Sequence, residues 1–251
     1  MLQHWVCRAL EVPVGSPLPP LSMVSGDASF RRYFRACWQG RSYIAVDAPP
    51  QHENSSAFIT VCRMLRATGV KAPEIFASDL NRGFLLLEDF GDRQLLPTLS
   101  GLQSDGDIQR AEAIYHSALQ TLLLIQRSPE KKRLDLYDRD QLRAEMNLFT
   151  EWFCVAFLEL ELSVPEHSVI DLAMDFLEEA ALSQPTVMVH RDFHSRNLML
   201  LDDSAVPVLG VIDFQDAVYG PYSYDVVSLL RDCYLRWEPE TVIRWALTYW
   251  Q

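Results

Sequence analysis

The sequence predicts an α+β fold in two lobes, strand-rich over residues 1–89 and mainly helical over residues 90–251. Two observations carry that prediction. Up to Glu88, short apolar runs are separated by glycine, asparagine and proline, the residues that turn a chain. After Phe90-Gly91-Asp92, apolar residues recur every three or four positions, the spacing of one helix face. A third observation places chemistry in the second lobe. The apolar run Val187 to Val189 opens into a polar loop, His190-Arg191-Asp192-Phe193-His194-Ser195-Arg196-Asn197.

The elements follow in order. Gln3 to Leu10 reads as a short helix, stopped by Pro13 and the cluster Pro17, Pro19 and Pro20. Ser25-Gly26-Asp27 is a turn. Phe30 to Trp38 and Ser42 to Val46 alternate as paired strands, and Ala48-Pro49-Pro50 ends the pattern. Ser55 to Ala67 places Phe58, Val61, Cys62 and Leu65 on one helical face, with Gly69 at the C-terminal cap and Pro73 beyond it. Glu74 to Ser78 and Phe84 to Glu88 are strands joined by a turn at Asn81-Arg82-Gly83. The first lobe therefore reads β-β-β-α-β-β.

In the second lobe three helical stripes are expected in the core: Ile108 to Leu122, Leu142 to Leu160 and Val169 to Ala180. Glu130-Lys131-Lys132-Arg133 reads as a solvated loop. Leu198 to Leu201 and Val206 to Ile212 form a small hairpin, and Tyr224 to Leu235 and Val242 to Trp250 are helices. The apolar pattern still runs at Gln251, so a fold truncated at its C-terminus is expected.

Composition narrows the function classes. With 34 acidic against 22 basic residues the formal charge is −12, which disfavours a general nucleic-acid or anionic-membrane surface. The five cysteines are scattered, odd in number and form no C-x-x-C pair, so neither a disulfide framework nor a zinc site is expected. The N-terminus lacks a basic-then-apolar signal pattern. The most apolar stretch, Leu119 to Ile125, is too short to span a bilayer. A cytoplasmic protein with reduced thiols is the expectation.

The polar loop holds a carboxylate, Asp192, and an amide five residues later, Asn197. A second carboxylate, Asp213, ends the apolar run Val211-Ile212 and is followed by Phe214. Phosphoryl transfer needs such a set: one carboxylate to orient and deprotonate the attacking hydroxyl, an amide and a carboxylate to hold a cation that shields phosphates. Magnesium prefers these hard oxygen ligands. His190, directly after a buried strand, is expected to brace the loop.

With these residues assembled, the chain resembles the aminoglycoside phosphotransferase and choline kinase-like superfamily, whose members share the protein-kinase fold. A closer resemblance is to bacterial cell-wall-sugar kinases. It rests on Gly26-Asp27-Ala28-Ser29-Phe30-Arg31-Arg32-Tyr33-Phe34-Arg35, Asp47-Ala48-Pro49-Pro50, Leu86-Leu87-Glu88-Asp89, the loop from His190 to Met199, and Ile212 to Pro221. The five motifs stand in this order, and the resemblance runs from about Gly26 to beyond Asp232. The resemblance implies an ATP- and magnesium-dependent kinase of the anomeric hydroxyl of N-acetylmuramate and N-acetylglucosamine in peptidoglycan recycling. Its product would pass to a uridylyltransferase. It also implies Asp192 as the base, Asn197 and Asp213 as metal ligands, and further C-terminal helices that wall the acceptor pocket.

Nucleotide contacts are expected from the turn at Gly26, Asp27, Ser29 and Phe30, and from backbone around Glu88 and Phe90. The third strand, Tyr43 to Asp47, carries no lysine, and Ser55 to Gly69 holds no acidic residue to pair with one. An arginine of the Arg31-Arg32-Tyr33-Phe34-Arg35 run is expected to supply the missing cation. Alternation puts Arg31 and Arg35 on one face and Arg32 on the other, so Arg31 and Arg32 both stay candidates. Acceptor candidates are His194, Arg196, Gln215, Asp216, Tyr219, Tyr222 and Arg231, an arginine being the natural partner of the lactyl carboxylate. Asp225 is expected to anchor the loop or cap a helix. Two alternatives stand: the same fold acting on an aminoglycoside, choline-like or glycated amine, and a nucleotide-binding scaffold without turnover.

Overall fold

The computed structural model describes residues 1–26, 30–129 and 133–251. Strands β1 (Leu21–Gly26), β2 (Arg32–Trp38), β3 (Arg41–Asp47), β4 (Ile75–Asp79) and β5 (Phe84–Glu88) form one antiparallel sheet in the order β1-β2-β3-β5-β4. The β2–β3 hairpin closes through Gln39 and Gly40, both at positive φ (50° and 75°), the two-residue turn whose twist matches paired strands. A second tight approach lies at Gly83, where a Cβ would stand 1.7 Å from the Ala48 carbonyl oxygen, so no larger residue fits.

Alternation sorts the sheet into two faces. Helix α1 (Leu2–Ala9) covers the outer one, where Leu2, Trp5 and Val6 pack with Ala36, Ala45, Phe84 and Leu86. Helix α2 (Ser55–Ala67), capped by the Asn54 side chain on the Ala57 N–H at 3.0 Å, buries Phe58, Val61, Cys62 and Leu65. These join Val46, Leu85 and Leu87 on the inner face. That inner core runs on without a break into the helical half, where Phe193, Leu198, Val211 and Phe214 belong to the same cluster.

Beyond β5 come α3 (Leu95–Asp105), α4 (Ile108–Gln126), α5 (Arg139–Leu148), a π-helical segment (Phe149–Phe157), α6 (Val164–Leu182), α7 (Tyr224–Leu230) and α8 (Pro239–Trp250). The stripe on α4 is core as expected: Ala111, Tyr115, Ala118, Leu119 and Leu122 are buried, and Ile108 alone of the stripe is exposed. Tyr115 stacks on Trp245 of α8 at 3.9 Å and accepts a hydrogen bond from Trp237 Nε1 at 2.9 Å.

Of the two later stripes, only Leu142, with Met146 partly buried beside it, belongs to a core cluster. Of the expected run Leu142 to Leu160, Leu142 is buried, whereas Phe149, Phe153 and Phe157 stack on one another at the surface, Phe157 being 74% exposed. On α6, Val169, Leu172, Phe176 and Leu177 are exposed, and Met174 and Glu178 are buried instead. Charge reverses the expected face. Arg139 donates to Glu178 at 2.7 Å, and Arg143 pairs with Glu178, Asp175 and Asp171, so the polar sides of α5 and α6 meet. The π segment, bonded i to i+5, also breaks the 3.6-residue register on which the stripe was drawn.

Two short ladders carry the loop. β6 (Thr186–Val189) pairs with β9 (Val218–Pro221), and β7 (Leu198–Leu200) with β8 (Leu209–Val211). The second is the expected hairpin, with shorter strands; β9 and α3 have no counterpart among the sequence expectations. Among the described residues no helix is long and apolar enough to cross a membrane.

Candidate active site

The loop after β6 is fixed by its main chain. Asp225, fully buried on the first turn of α7, accepts the N–H of His190 at 2.7 Å and of Arg191 at 3.0 Å. It is the loop anchor anticipated from sequence; Ser223 holds the N-cap position. Burial pushes the Asp225 carboxyl up to about 7, against the pull of those two N–H groups. His190 is buried with Nε2 3.0 Å from the Ile212 carbonyl oxygen, which braces the loop against the strand that leads to Asp213. Burial lowers its imidazole to about 4, so it is neutral at physiological pH.

Two residues here adopt left-handed backbone, Arg191 at φ 77° and Asp213 at φ 62°. Each costs on the order of 1 kcal/mol, and such strain persists only where neighbours over-determine it. Arg191 is held by Glu145 of α5, which also accepts the hydroxyls of Tyr137 and, at 3.0 Å, Tyr224. Ser195 is held through both its N–H and hydroxyl by Asp232.

The structure brings Asp192, Asn197 and Asp213 together. Asn197 sits at the end of a 3₁₀ turn (Ser195–Asn197), and its Nδ2 donates to the Asp192 carbonyl at 3.0 Å and lies 3.5 Å from Asp213 Oδ2. With the NH₂ committed to the loop, Oδ1 is left as the amide's ligand atom. Gln215 Nε2 donates to Asp213 Oδ1 at 2.9 Å and to Asp216 at 3.2 Å, so Gln215 orients the second carboxylate. Burial first, and the Asp213 charge second, raise the Asp192 carboxyl above its ordinary value. Among the described residues no group of three His, Cys, Asp or Glu side chains surrounds a metal position. The donor set is smaller and harder, one amide oxygen and one carboxylate. That suits magnesium, which keeps waters and takes phosphate oxygens to complete its shell.

The remaining candidates are dispersed. Asp27 and Ser29 lie outside the described residues, as do Lys131 and Lys132; Gly26 ends β1. Phe30 is exposed and stacks on His52 at 4.1 Å. Arg32 pairs with Asp47 on the outer face, beside a shallow concavity lined by Leu2, Phe34 and Phe84 that contains no residue of the Asp192 loop. Arg31 lies on the inner face, buried, with Nε 3.1 Å from Glu53. Arg35 bridges Asp89 and Asp92, at 2.6 and 2.9 Å, locking β2 to the exit from β5. Glu88 pairs both its N–H (2.8 Å) and its carboxylate (3.1 Å) with the main chain of Glu74.

On the acceptor side, His194 and Arg196 gather about Tyr234, with ring centroids 5.7 Å apart and the guanidinium 5.2 Å from the phenol ring. Asp216 and Arg231 are exposed, Tyr219 is buried in β9, and Tyr222 leans on Trp250 at 6.4 Å. Glu53, Glu145, Asp232 and Tyr234 were not singled out from sequence. Each acts from a distant element, and none sits in a recognisable spacing with its partner.

Fold and site together define a phosphotransferase of the protein-kinase-like class. Residues 21–251 match the model of the phosphotransferase enzyme family (APH), and the chain belongs to that family. It is 40% identical over 241 residues to the N-acetylmuramate/N-acetylglucosamine kinase of Pseudomonas putida, covering 96% of this chain and 67% of that protein. To the kinase of the same name from Neisseria meningitidis it is 38% identical over 232 residues, covering 92% of this chain and 67% of that protein. The chain thus spans about two thirds of the length of these relatives. Among solved structures it resembles the streptomycin–ATP–APH(2″)-IIa ternary complex, with TM-score 0.66 and 15% identity over 99% of this chain and 80% of the other. It also resembles a choline/ethanolamine kinase family protein from Mesorhizobium loti, with TM-score 0.62 and 15% identity over 100% and 76%. At that identity the likeness shows the fold.

Proposed function

We propose that this chain transfers the γ-phosphoryl group of ATP to the anomeric hydroxyl of N-acetylmuramate and N-acetylglucosamine. The observation that carries the reading is the convergence of Asp192, Asn197 and Asp213 on one anchored loop and hairpin. The relatives at 38–40% identity supply the acceptor class.

In this reading Asp192 accepts the proton of the sugar's 1-hydroxyl as that oxygen bonds to the γ-phosphorus. The bond from the γ-phosphorus to the bridging oxygen breaks, and ADP leaves with the electron pair. The raised carboxyl of Asp192 makes it a better proton acceptor than a solvated aspartate. Asn197 Oδ1 and Asp213 would hold magnesium, which neutralises charge on the transferring phosphates when bound. Asp225, Glu145 and Asp232 keep the loop in place, so that little reorganisation is needed during transfer.

The sheet and α2, within residues 1–89, are assigned to the nucleotide, and residues 90–251 to catalysis and the acceptor. His194 and Arg196 against Tyr234 form the acceptor wall nearest Asp192 in the sequence, with Arg196 the partner for a lactyl carboxylate. A cytoplasmic site of action fits these substrates, and a uridylyltransferase is the enzyme class that would consume a sugar 1-phosphate. A panel of free sugars, choline and kanamycin-like amines, each incubated with ATP and magnesium, tests the reading. Transfer to the two amino sugars is expected, and transfer confined to amines would overturn it.

A further inference from the structure

Arg191 stands between β6 and Asp192, and the chain passes through it in a left-handed turn, at φ 77°. Two tethers hold that turn. Asp225 takes the Arg191 N–H at 3.0 Å. At the other end the guanidinium pairs with Glu145 Oε1 and lies 5.5 Å from the centroid of the Tyr137 ring. For a residue with a Cβ, left-handed backbone persists only where neighbours enforce it. The side-chain tether is therefore part of what aims Asp192.

Glu145 is itself held. Its Oε2 accepts the hydroxyls of Tyr137 and Tyr224, the latter at 3.0 Å, and the two phenol rings pack edge to face with centroids 5.2 Å apart. Burial works against the charged carboxylate, but the phenols and Arg191 outweigh it and keep the Glu145 carboxyl below its ordinary value. Each phenol comes from a segment that already supports the loop. Tyr224 opens α7, next to Asp225. Tyr137 is 2% exposed, and its N–H donates at 2.8 Å to the Tyr219 carbonyl on β9, the strand paired with β6. Gly220, also on β9, makes the room, since a Cβ there would stand 2.9 Å from the Tyr137 Cβ.

We propose that Tyr137 and Tyr224 are positioning residues for phosphoryl transfer, acting through Glu145 and Arg191 on Asp192. The phenols fix one arrangement of the Glu145 carboxylate, and that carboxylate fixes the guanidinium. The guanidinium, with Asp225 on the N–H, fixes the turn from which the base projects. A base displaced by an ångström loses its alignment with the attacking hydroxyl while both substrates still bind, so the effect falls on kcat. The inference rests on the proposed function and adds how its base is aimed.

Steady-state kinetics of the full chain with ATP, magnesium and N-acetylglucosamine test it, alongside hydrogen exchange of the loop. Tyr137→Phe and Tyr224→Phe remove only a hydroxyl, and the first keeps its ring beside Arg191. Each should lower kcat about fivefold and the double variant about tenfold or more, with either KM changed less than twofold. The amides of Arg191 to Phe193 should exchange faster in the double variant. A lower melting temperature with wild-type kcat would make the phenols merely structural and overturn the inference, as would a raised KM at unchanged kcat. Wild type inactive toward every acceptor would overturn the proposed function. Unchanged exchange of the Arg191 to Phe193 amides in the double variant would overturn this inference whether or not the wild type turns over.

Discussion

Phe90 lies across Gly210 so closely that a Cβ on the glycine would stand 2.6 Å from the ring's Cδ2. The contact joins the chain leaving β5 to β8, the strand that delivers Asp213. Gly210→Ala should therefore displace the ring, lowering unfolding free energy by about 1–3 kcal/mol, the usual range for overpacking. Chemical denaturation measures the loss. Phe90→Ala in the same chain should restore part of it, and a double variant no more stable than Gly210→Ala would show that the ring is not what the methyl meets.

Asp225 holds two main-chain N–H groups of the loop in a site closed to water. Asp225→Ala leaves both without a partner, and each unsatisfied buried donor costs about 1–3 kcal/mol. A loss of about 2–4 kcal/mol in urea denaturation is expected, with a fall in turnover at unchanged ATP affinity. A variant of wild-type stability would contradict the anchoring role.

His190 predicts an acid-sensitive component of stability. Its imidazole is neutral and buried, lowered to about 4 from an unfolded value of 6.5. Between those values the unfolded chain binds more protons, so the contribution is whole above pH 6.5 and is lost as pH falls toward 4. The full loss is about 3 kcal/mol, from about 1.4 kcal/mol per pKa unit. The difference in unfolding free energy between wild type and His190→Gln should change across that window and level off above it. A difference that stays flat from pH 7 to pH 4 would contradict the buried neutral imidazole.

The helix faces make opposite predictions for residues of similar hydrophobicity. Leu122 on α4 is fully buried, and Leu122→Ala should cost about 2–5 kcal/mol. Phe176 on α6 is 71% exposed, and Phe176→Ser should stay within about 0.5 kcal/mol. Thermal denaturation of the two variants distinguishes these faces directly.

That contrast also shows what the sequence made legible. Ser55–Ala67 was readable to the residue, because one apolar face and a glycine stop agreed; the Asn54 cap came only with the structure. The α5–α6 faces were not, because hydrophobic period alone does not register that Arg139 and Arg143 face three carboxylates. At the site, Asp192, Asn197 and Asp213 stood out, since their spacing is local and chemically demanding. Glu53, Glu145 and Asp232 did not, because each meets its partner only after the chain has folded back over tens of residues. That Arg31 and Arg32 lie on opposite faces was legible from alternation, but which face meets α1 and which α2 was not.

The most direct test follows the product. Full-chain protein with ATP, magnesium and N-acetylglucosamine or N-acetylmuramate is examined by phosphorus NMR for a phosphate coupled to the anomeric proton, alongside Asp192→Asn. The account predicts one anomeric phosphate per ADP from wild type. It predicts a rate about 10²–10⁴-fold lower from Asp192→Asn, with ATP affinity retained. Phosphate on another hydroxyl or on an amine, or equal turnover by the variant, would contradict it.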